Sequence, residues 1–374
     1  MLIDRRQLLW GGGLAAAALA TADATARAPA TPGGRTRSAA TPSIRLSANE
    51  NPYGPSASAR RAIQAALGEG NRYARNAAEL EAHVARRDGL TPEHVVLTPG
   101  SQALLCLAAL WARQAGGEVV ASDLAYSGLT DYAERLGVPV HRVPMAPGFV
   151  HDLDAMEARV TPATKLVYVC NPNNPTGTVV DPERLRAFCE AVSPRALVVV
   201  DEAYGDYVLE PGYASMAELV KEGHNVLVAR TFSKLHALAG MRVGYGLAPT
   251  ALADALRKLR MGGGGMAVNV LAVHAALASA EDTAFQEQSR RKNAEVREHV
   301  VRALRAEGLT PPVSHANFVY VPMENDVERF GAAMEKRGVR IVASPPIRGL
   351  RITVGTAEEM ARFAEAFKAA RAER

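Results

Sequence analysis

Short, near-continuous apolar runs separated by helical stretches constrain this chain more than any other feature. The runs are Val95-Val96-Leu97, Val119-Val120-Ala121, residues 138–143, Leu166-Val167-Tyr168-Val169-Cys170, Leu197-Val198-Val199-Val200 and Val226-Leu227-Val228-Ala229. A strand with one wet face alternates apolar and polar residues; these runs do not, so both faces are expected to be buried. Residues 78–87, 102–114 and 126–137 between them read as helices. The pattern predicts an α/β fold on a parallel or mostly parallel sheet. Ligands of such sheets bind outside the carboxyl ends of the strands. Asp201-Glu202 and the residues from Arg230 to Lys234 stand at those ends.

The character changes near Asp282. A long amphipathic helix (283–307) leads into a strand (317–321) and a helix (327–337). Two more strand-like runs (339–342, 350–354) and a final helix (357–370) follow. The expected organisation is a large domain over 76–281 and a smaller α+β C-terminal domain over 282–374. Residues 43–75 form an N-terminal segment that packs on the small domain or crosses to a partner subunit.

The first 26 residues read as a cleavable export signal of the twin-arginine type. Arg5-Arg6 precede a 13-residue apolar stretch (8–20) and an Ala24-Thr25-Ala26 end. That stretch is too short to span a bilayer, and no cysteine follows it to carry a lipid anchor. Residues 27–42, rich in Ala, Thr, Pro, Gly and Ser, read as a flexible linker. Export machinery is the implied partner, and a periplasmic or secreted location the expectation.

The net charge of +4 resides mostly in the leader and linker together, residues 1–42, where five arginines face two aspartates. The near-neutral remainder carries no electrostatic footprint for nucleic acid. Cys106, Cys170 and Cys189 lie in apolar or helical patterns without ligand-like spacing. Neither a metal site nor a disulfide framework is expected from them.

Candidate chemistry centres on Thr231-Phe232-Ser233-Lys234, with Arg242 eight residues after the lysine. A lysine amine becomes a covalent catalyst when its pKa is depressed and a carbonyl partner is held nearby. Hydroxyls and an arginine suit a phosphate. Together they suggest pyridoxal phosphate, an aldehyde that carries a phosphate, although a lone Ser-Lys also fits an ordinary surface loop.

Four further segments bear on that choice. Pro99-Gly100-Ser101-Gln102 joins a strand to a helix, whose first N–H groups form an anion site. Asn171-Pro172-Asn173-Asn174-Pro175-Thr176-Gly177 follows a buried strand and offers an asparagine to a phenolate oxygen. Asp201-Glu202-Ala203-Tyr204 follows another; Asp201 could meet a pyridinium nitrogen or merely cap a helix. Arg351, inside Leu350-Arg351-Ile352-Thr353-Val354, either pairs with a carboxylate of the fold or presents a fork to a substrate carboxylate.

These segments occur in an order that resembles the class I/II pyridoxal-phosphate aminotransferases, specifically the histidinol-phosphate aminotransferase group. Arg45-Leu46-Ser47-Ala48-Asn49-Glu50-Asn51-Pro52-Tyr53-Gly54 is a fifth matching segment, and the likeness covers 43–374. The resemblance implies fold type I, with a mostly parallel seven-stranded sheet in the large domain. It implies Lys234 as the Schiff-base lysine and proton shuttle, and Asp201 on the pyridine nitrogen. Asn174 and Tyr204 would bind the ring oxygen, and Tyr126 would stack on the ring. Ser101, Gln102, Thr231, Ser233 and Arg242 would hold the phosphate, with Tyr73 reaching in from the other subunit of a homodimer. Arg351 would take the α-carboxylate, and Asn49 and Tyr53 would help bind the substrate. The substrates would be an amino acid and a 2-oxo acid.

Two departures bear on the substrate. Where the group supplies an arginine for a substrate phosphate, this chain has Val342, with Arg340 and Arg348 as possible substitutes. Where it has a proline and an aromatic near the site, Met261-Gly262-Gly263-Gly264-Gly265-Met266 predicts an open, mobile loop. Histidinol phosphate is therefore not the expected substrate. The same lysine and aspartate also serve racemases, decarboxylases, lyases and oxidases, which remain the alternative. A regulatory binding module would need a DNA-binding domain, which residues 27–42 cannot form.

Overall fold

The computed structural model describes residues 43–260 and 264–373. The leader (1–26), the linker (27–42) and the start of the glycine run (261–263) lie outside the described residues. The strands, in chain order, are β1 (Ile44–Leu46), β2 (Val95–Thr98), β3 (Glu118–Ser122), β4 (Val140–Val143), β5 (Thr164–Cys170) and β6 (Leu197–Asp201). After them come β7 (Val226–Thr231), β8 (Gly244–Leu247), β9 (Phe318–Pro322), β10 (Val339–Ser344) and β11 (Gly349–Thr353).

The larger sheet has seven strands in the order β2-β8-β7-β6-β5-β3-β4. All its pairings are parallel except those of β8, which runs against both neighbours. The mostly parallel α/β sheet expected from the apolar runs is thus present. Val198 and Val200 pack on one face with Phe188, while Leu197 and Val199 pack on the other with Leu104 and Leu105. Period-2 geometry sends successive side chains to opposite faces, and both faces are covered at these central strands. That is why residues 197–200 carry no polar side chain, whereas the edge strand β4 carries His141 and Arg142. Each such side chain contributes about 1.5–3 kcal/mol by leaving water.

The smaller sheet has the order β1-β10-β11-β9, with β1 added parallel to β10 along Ile44↔Val339. Leu350 and Ile352 of β11 join Val319, Val321, Phe363 and Phe367 in its core. Arg351 therefore points to the opposite face. Its antiparallel partners are Val342 on one side and Tyr320 on the other, so these three side chains share that face. Thr356 and Glu359 form a capping box that starts the last helix, Ala357–Ala372.

Two local expectations are corrected. The helix expected over 126–137 covers only Thr130–Arg135. Ser127 and Gly128 hold a turn before it, with the Ser127 hydroxyl donating to Asp131 and Thr130 donating to the Ser127 carbonyl. Such local bonds compete with helix, and glycine costs about 1 kcal/mol in one. From Gly264 the expected open loop gives way to a short helix, Gly264–Ala267. Among the described residues, no helix is long and apolar enough to cross a membrane.

Candidate active site

The carboxyl ends of β2, β3, β5, β6 and β7 open on one edge of the large sheet, and the reversed β8 begins there. The edge and the Arg351 face of the small sheet enclose a cavity of about 310 Å³. Lys234, Asp201, Asn174, Tyr204, Tyr126 and Arg351 line it. So do Asn49, Ser101, Gln102, Thr231, Ser233 and Arg242.

Lys234 follows β7 by three residues, and its Nζ lies 3.2 Å from the Asn49 carbonyl and 3.4 Å from that of Ala48. Burial, with the Arg351 charge adding to it, lowers its pKa to about 8. A tenth of the amine is then neutral near pH 7, far more than for an exposed lysine.

Asp201 ends β6 and is 2 % exposed. Its carboxylate accepts from the Tyr168 hydroxyl and the Ala203 N–H, each at 3.1 Å. Burial raises its pKa to about 6 against the pull of those two donors. The next helical turn, Gly205–Tyr207, has Tyr204 rather than Asp201 at its N-cap, so the capping alternative does not apply. Among the described residues no cation pairs with it, and a protonated ring nitrogen is the partner such a carboxylate suits.

The Tyr204 hydroxyl is a hub that accepts from Asn49 Nδ2 at 2.9 Å and from Asn174 Nδ2 at 3.4 Å. Burial pushes its pKa up, so it stays a phenol. Asn49 holds its place with φ 52°, and Thr353 donates to its side chain while Asn317 donates to its carbonyl. Arg351 Nη1 donates to Asn174 Oδ1 at 2.8 Å and Nη2 to the Ser47 carbonyl at 2.6 Å. Its Nε is buried without a partner. Burial lowers its pKa, and no carboxylate among the described residues pairs with it. Of the two alternatives open for Arg351, pairing within the fold is the one the geometry rejects.

The other end of the cavity is built for an anion. Helix Ser101–Gln114 points its N-terminus there, and Thr231 Oγ1 and Ser233 Oγ lie 2.9 Å apart beside it. Arg242, at φ 56°, bonds the Ala239 and Pro99 carbonyls, which holds its guanidinium over the Pro99-Gly100 turn. A Cβ on Gly244 would sit 2.6 Å from the Ser101 nitrogen, so this close approach needs glycine. Gln102 accepts from the Tyr126 hydroxyl at 2.7 Å, tying the ring to the same helix. Hydroxyls, helix N–H groups and an arginine at one end, with a lone buried carboxylate at the other, fit pyridoxal phosphate.

Two sequence candidates lie elsewhere. Tyr73 is 75 % exposed and lines a separate surface cavity with Arg72 and His274. Tyr53 sits beneath Lys292 Nζ, 4.8 Å from its ring centre, and does not line the central cavity. The arginines at the altered segment are committed to other partners. Arg340 pairs with Glu335 at 2.6 Å and Arg348 with Asp123 at 3.1 Å. The three cysteines are free thiols; Cys170 and Cys189 are buried and Cys106 half-buried. Tyr168, the Ser47, Ala48 and Asn49 carbonyls and Asn317 were not identified from the sequence. Tyr168 reads as core within an apolar run, and carbonyls have no residue signature.

The profile of the family described as Aminotransferase class I and II matches residues 41–367. An aromatic amino acid aminotransferase of Thermobifida fusca is 41% identical over 323 residues, 85% of this chain and 87% of that one. A histidinol-phosphate aminotransferase of Moorella thermoacetica is 37% identical over 336 residues, 87% of this chain and 84% of that one. The crystal structure of histidinol-phosphate aminotransferase from Sinorhizobium meliloti in complex with pyridoxal-5'-phosphate superposes with a TM-score of 0.80 at 31% identity, covering 89% of this chain and 92% of that one. The chain belongs to the class I and II aminotransferases, of fold type I, and is a pyridoxal-phosphate-dependent enzyme.

Proposed function

We propose that Lys234 carries the cofactor and that the enzyme transfers the amino group of an L-amino acid with an apolar side chain, aromatic ones included, to a 2-oxo acid. The observation that carries this reading is Arg351. Its guanidinium lines the same cavity as Lys234, has no carboxylate partner and keeps Nε unpaired. A bidentate fork without a partner in the fold suits a substrate α-carboxylate.

When bound, pyridoxal phosphate supplies a ring that withdraws the negative charge left on the substrate α-carbon. Asp201 keeps the ring nitrogen protonated through its carboxylate. Tyr204 and Asn174 donate to the ring oxygen, while Ser101, Gln102, Thr231, Ser233 and Arg242 hold the phosphate. Tyr126 covers the ring. Lys234, neutral near its lowered pKa, takes the proton from the α-carbon and returns it on the same side.

The side-chain preference rests on the face that Arg351 shares with Val342. With Arg340 and Arg348 paired to Glu335 and Asp123, that position offers an apolar surface rather than a phosphate receptor. Histidinol phosphate is accordingly not the substrate in this reading. Asn49 supports it by orienting Tyr204. The enzyme acts as a homodimer in which Tyr73 reaches the partner's phosphate site; the exposure of Leu67 (61 %) and Tyr73 supports a covered surface there. Residues 1–26 direct export of the folded protein, for which Arg5-Arg6 and the short apolar stretch are the support.

A donor screen on the purified enzyme tests the assignment, following the cofactor absorbance as it passes from aldehyde to amine form. Apolar and aromatic amino acids should drive the change and histidinol phosphate should not. Product without amino-group exchange across the panel would favour a different reaction at the same lysine.

A further inference from the structure

We propose that His236 is a positioning residue that anchors the turn carrying Lys234; the inference rests on Lys234 being the cofactor lysine. Lys234 opens a tight turn in which the Ala237 N–H returns to the Lys234 carbonyl at 3.0 Å. His236 is the third residue of that turn. Ala237 has φ 57°, a left-handed conformation that a residue with a Cβ adopts only when its surroundings hold it there. Something must therefore fasten the turn.

His236 is the side chain placed to do so. It is 4 % exposed, and its Nδ1 lies 2.9 Å from the Ser279 hydroxyl on helix Val270–Glu281. Its Nε2 faces Asp206 Oδ2 at 3.9 Å, and its ring packs against Phe232 at 4.7 Å between centres. Asp206 is itself fixed by Arg87 Nη2 at 2.6 Å. The Nδ1–Ser279 contact is a hydrogen bond in either ring tautomer, because a hydroxyl both donates and accepts. Asp206 lies two residues beyond Tyr204, as His236 lies two beyond Lys234. The imidazole thus bonds the lysine turn to helix Val270–Glu281 and lies 3.9 Å from the turn that carries Tyr204. Asn51 Nδ2, donating to the Leu235 carbonyl at 2.9 Å, is the second fastening.

The test uses the holoenzyme, with His236→Phe, His236→Asn and Ser279→Ala. Phenylalanine keeps a buried ring and loses both nitrogens; asparagine restores a hydrogen-bonding group for Ser279. Two readouts are taken: the pH midpoint of the bound cofactor's absorbance change, and the rate at which cofactor leaves. In His236→Phe the midpoint should move by about half a unit or more and release should quicken about tenfold, because small displacements of a reacting group cost large factors. Ser279→Ala should move both the same way by less, and His236→Asn should recover most of the wild-type behaviour. A folded His236→Phe with wild-type midpoint and release rate would overturn the proposal. Should that variant fail to fold, unchanged values in Ser279→Ala would overturn it equally. Cofactor trapped on another lysine in the wild type would instead remove the reading on which the inference rests.

Discussion

Two strand arginines, Arg230 outside the central cavity and Arg351 lining it, show how one kind of side chain serves two purposes. Arg230, in β7, is 5 % exposed and fully answered. Asp88 takes both of its terminal nitrogens at 2.7 and 3.1 Å, Glu202 takes Nε at 3.1 Å, and the Ser215 hydroxyl adds a contact. Arg351, in β11, bonds an amide oxygen and a main-chain carbonyl and lies over the Phe318 ring, with no carboxylate among the described residues. The first is fastened into the fold beneath the strand edge. The second keeps its charge without a carboxylate counter-charge among the described residues. A strand arginine is read by its carboxylates, which the linear sequence around it does not disclose.

The comparison can be broken by experiment. The largest expected effect is on stability. Arg230→Met strands the buried Glu202 carboxylate and the half-buried Asp88, and should cost about 3–5 kcal/mol in denaturant unfolding. Arg351→Met should cost less than about 1 kcal/mol, since no buried partner loses its counter-charge. Equal losses would make Arg351 a structural residue. For turnover the order reverses. Arg351→Lys should lower kcat/KM for amino acids by about 10²-fold through KM and leave cofactor affinity intact, because a point charge replaces a fork.

A smaller change sharpens the substrate side of the contrast. Val342→Arg places a cation beside Arg351 and should raise activity on donors with an anionic side chain about tenfold relative to apolar ones. No change in that ratio would remove position 342 from the specificity account. The mildest effect concerns pH. Only the neutral amine attacks an aldehyde, and the lysine's pKa is lowered to about 8. Cofactor capture by the cofactor-free protein should therefore rise about tenfold between pH 7 and 9 and then level off. A rise that continues toward pH 10.5 would show an unperturbed lysine.

What could be read in advance follows from how each feature is encoded. Both faces of the large sheet are buried at its central strands, so β5, β6 and most of β7 carry near-continuous apolar runs that are visible without a structure. Lys234, Asp201 and Asn174 stand at or just after the ends of those runs, which points them at one edge. β8 has no such run. Gly244-Tyr245-Gly246-Leu247 must let the Ser101 backbone and Leu104 approach, and a Cβ on Gly246 would come within 2.7 Å of Leu104 Cδ2. Tyr168 hides in a run whose other members are core, although its hydroxyl serves Asp201. The commitment of Arg340 and Arg348 depends on Glu335 and Asp123, a tertiary fact that strand alternation alone cannot supply.

The most direct test is to reduce the native holoenzyme with borohydride and map the modified peptide. The account predicts that the cofactor is fixed to Lys234, within the peptide that runs on to Arg242, and that Lys234→Ala yields no labelled peptide. Label on any other lysine, with Lys234 unmodified, would contradict it.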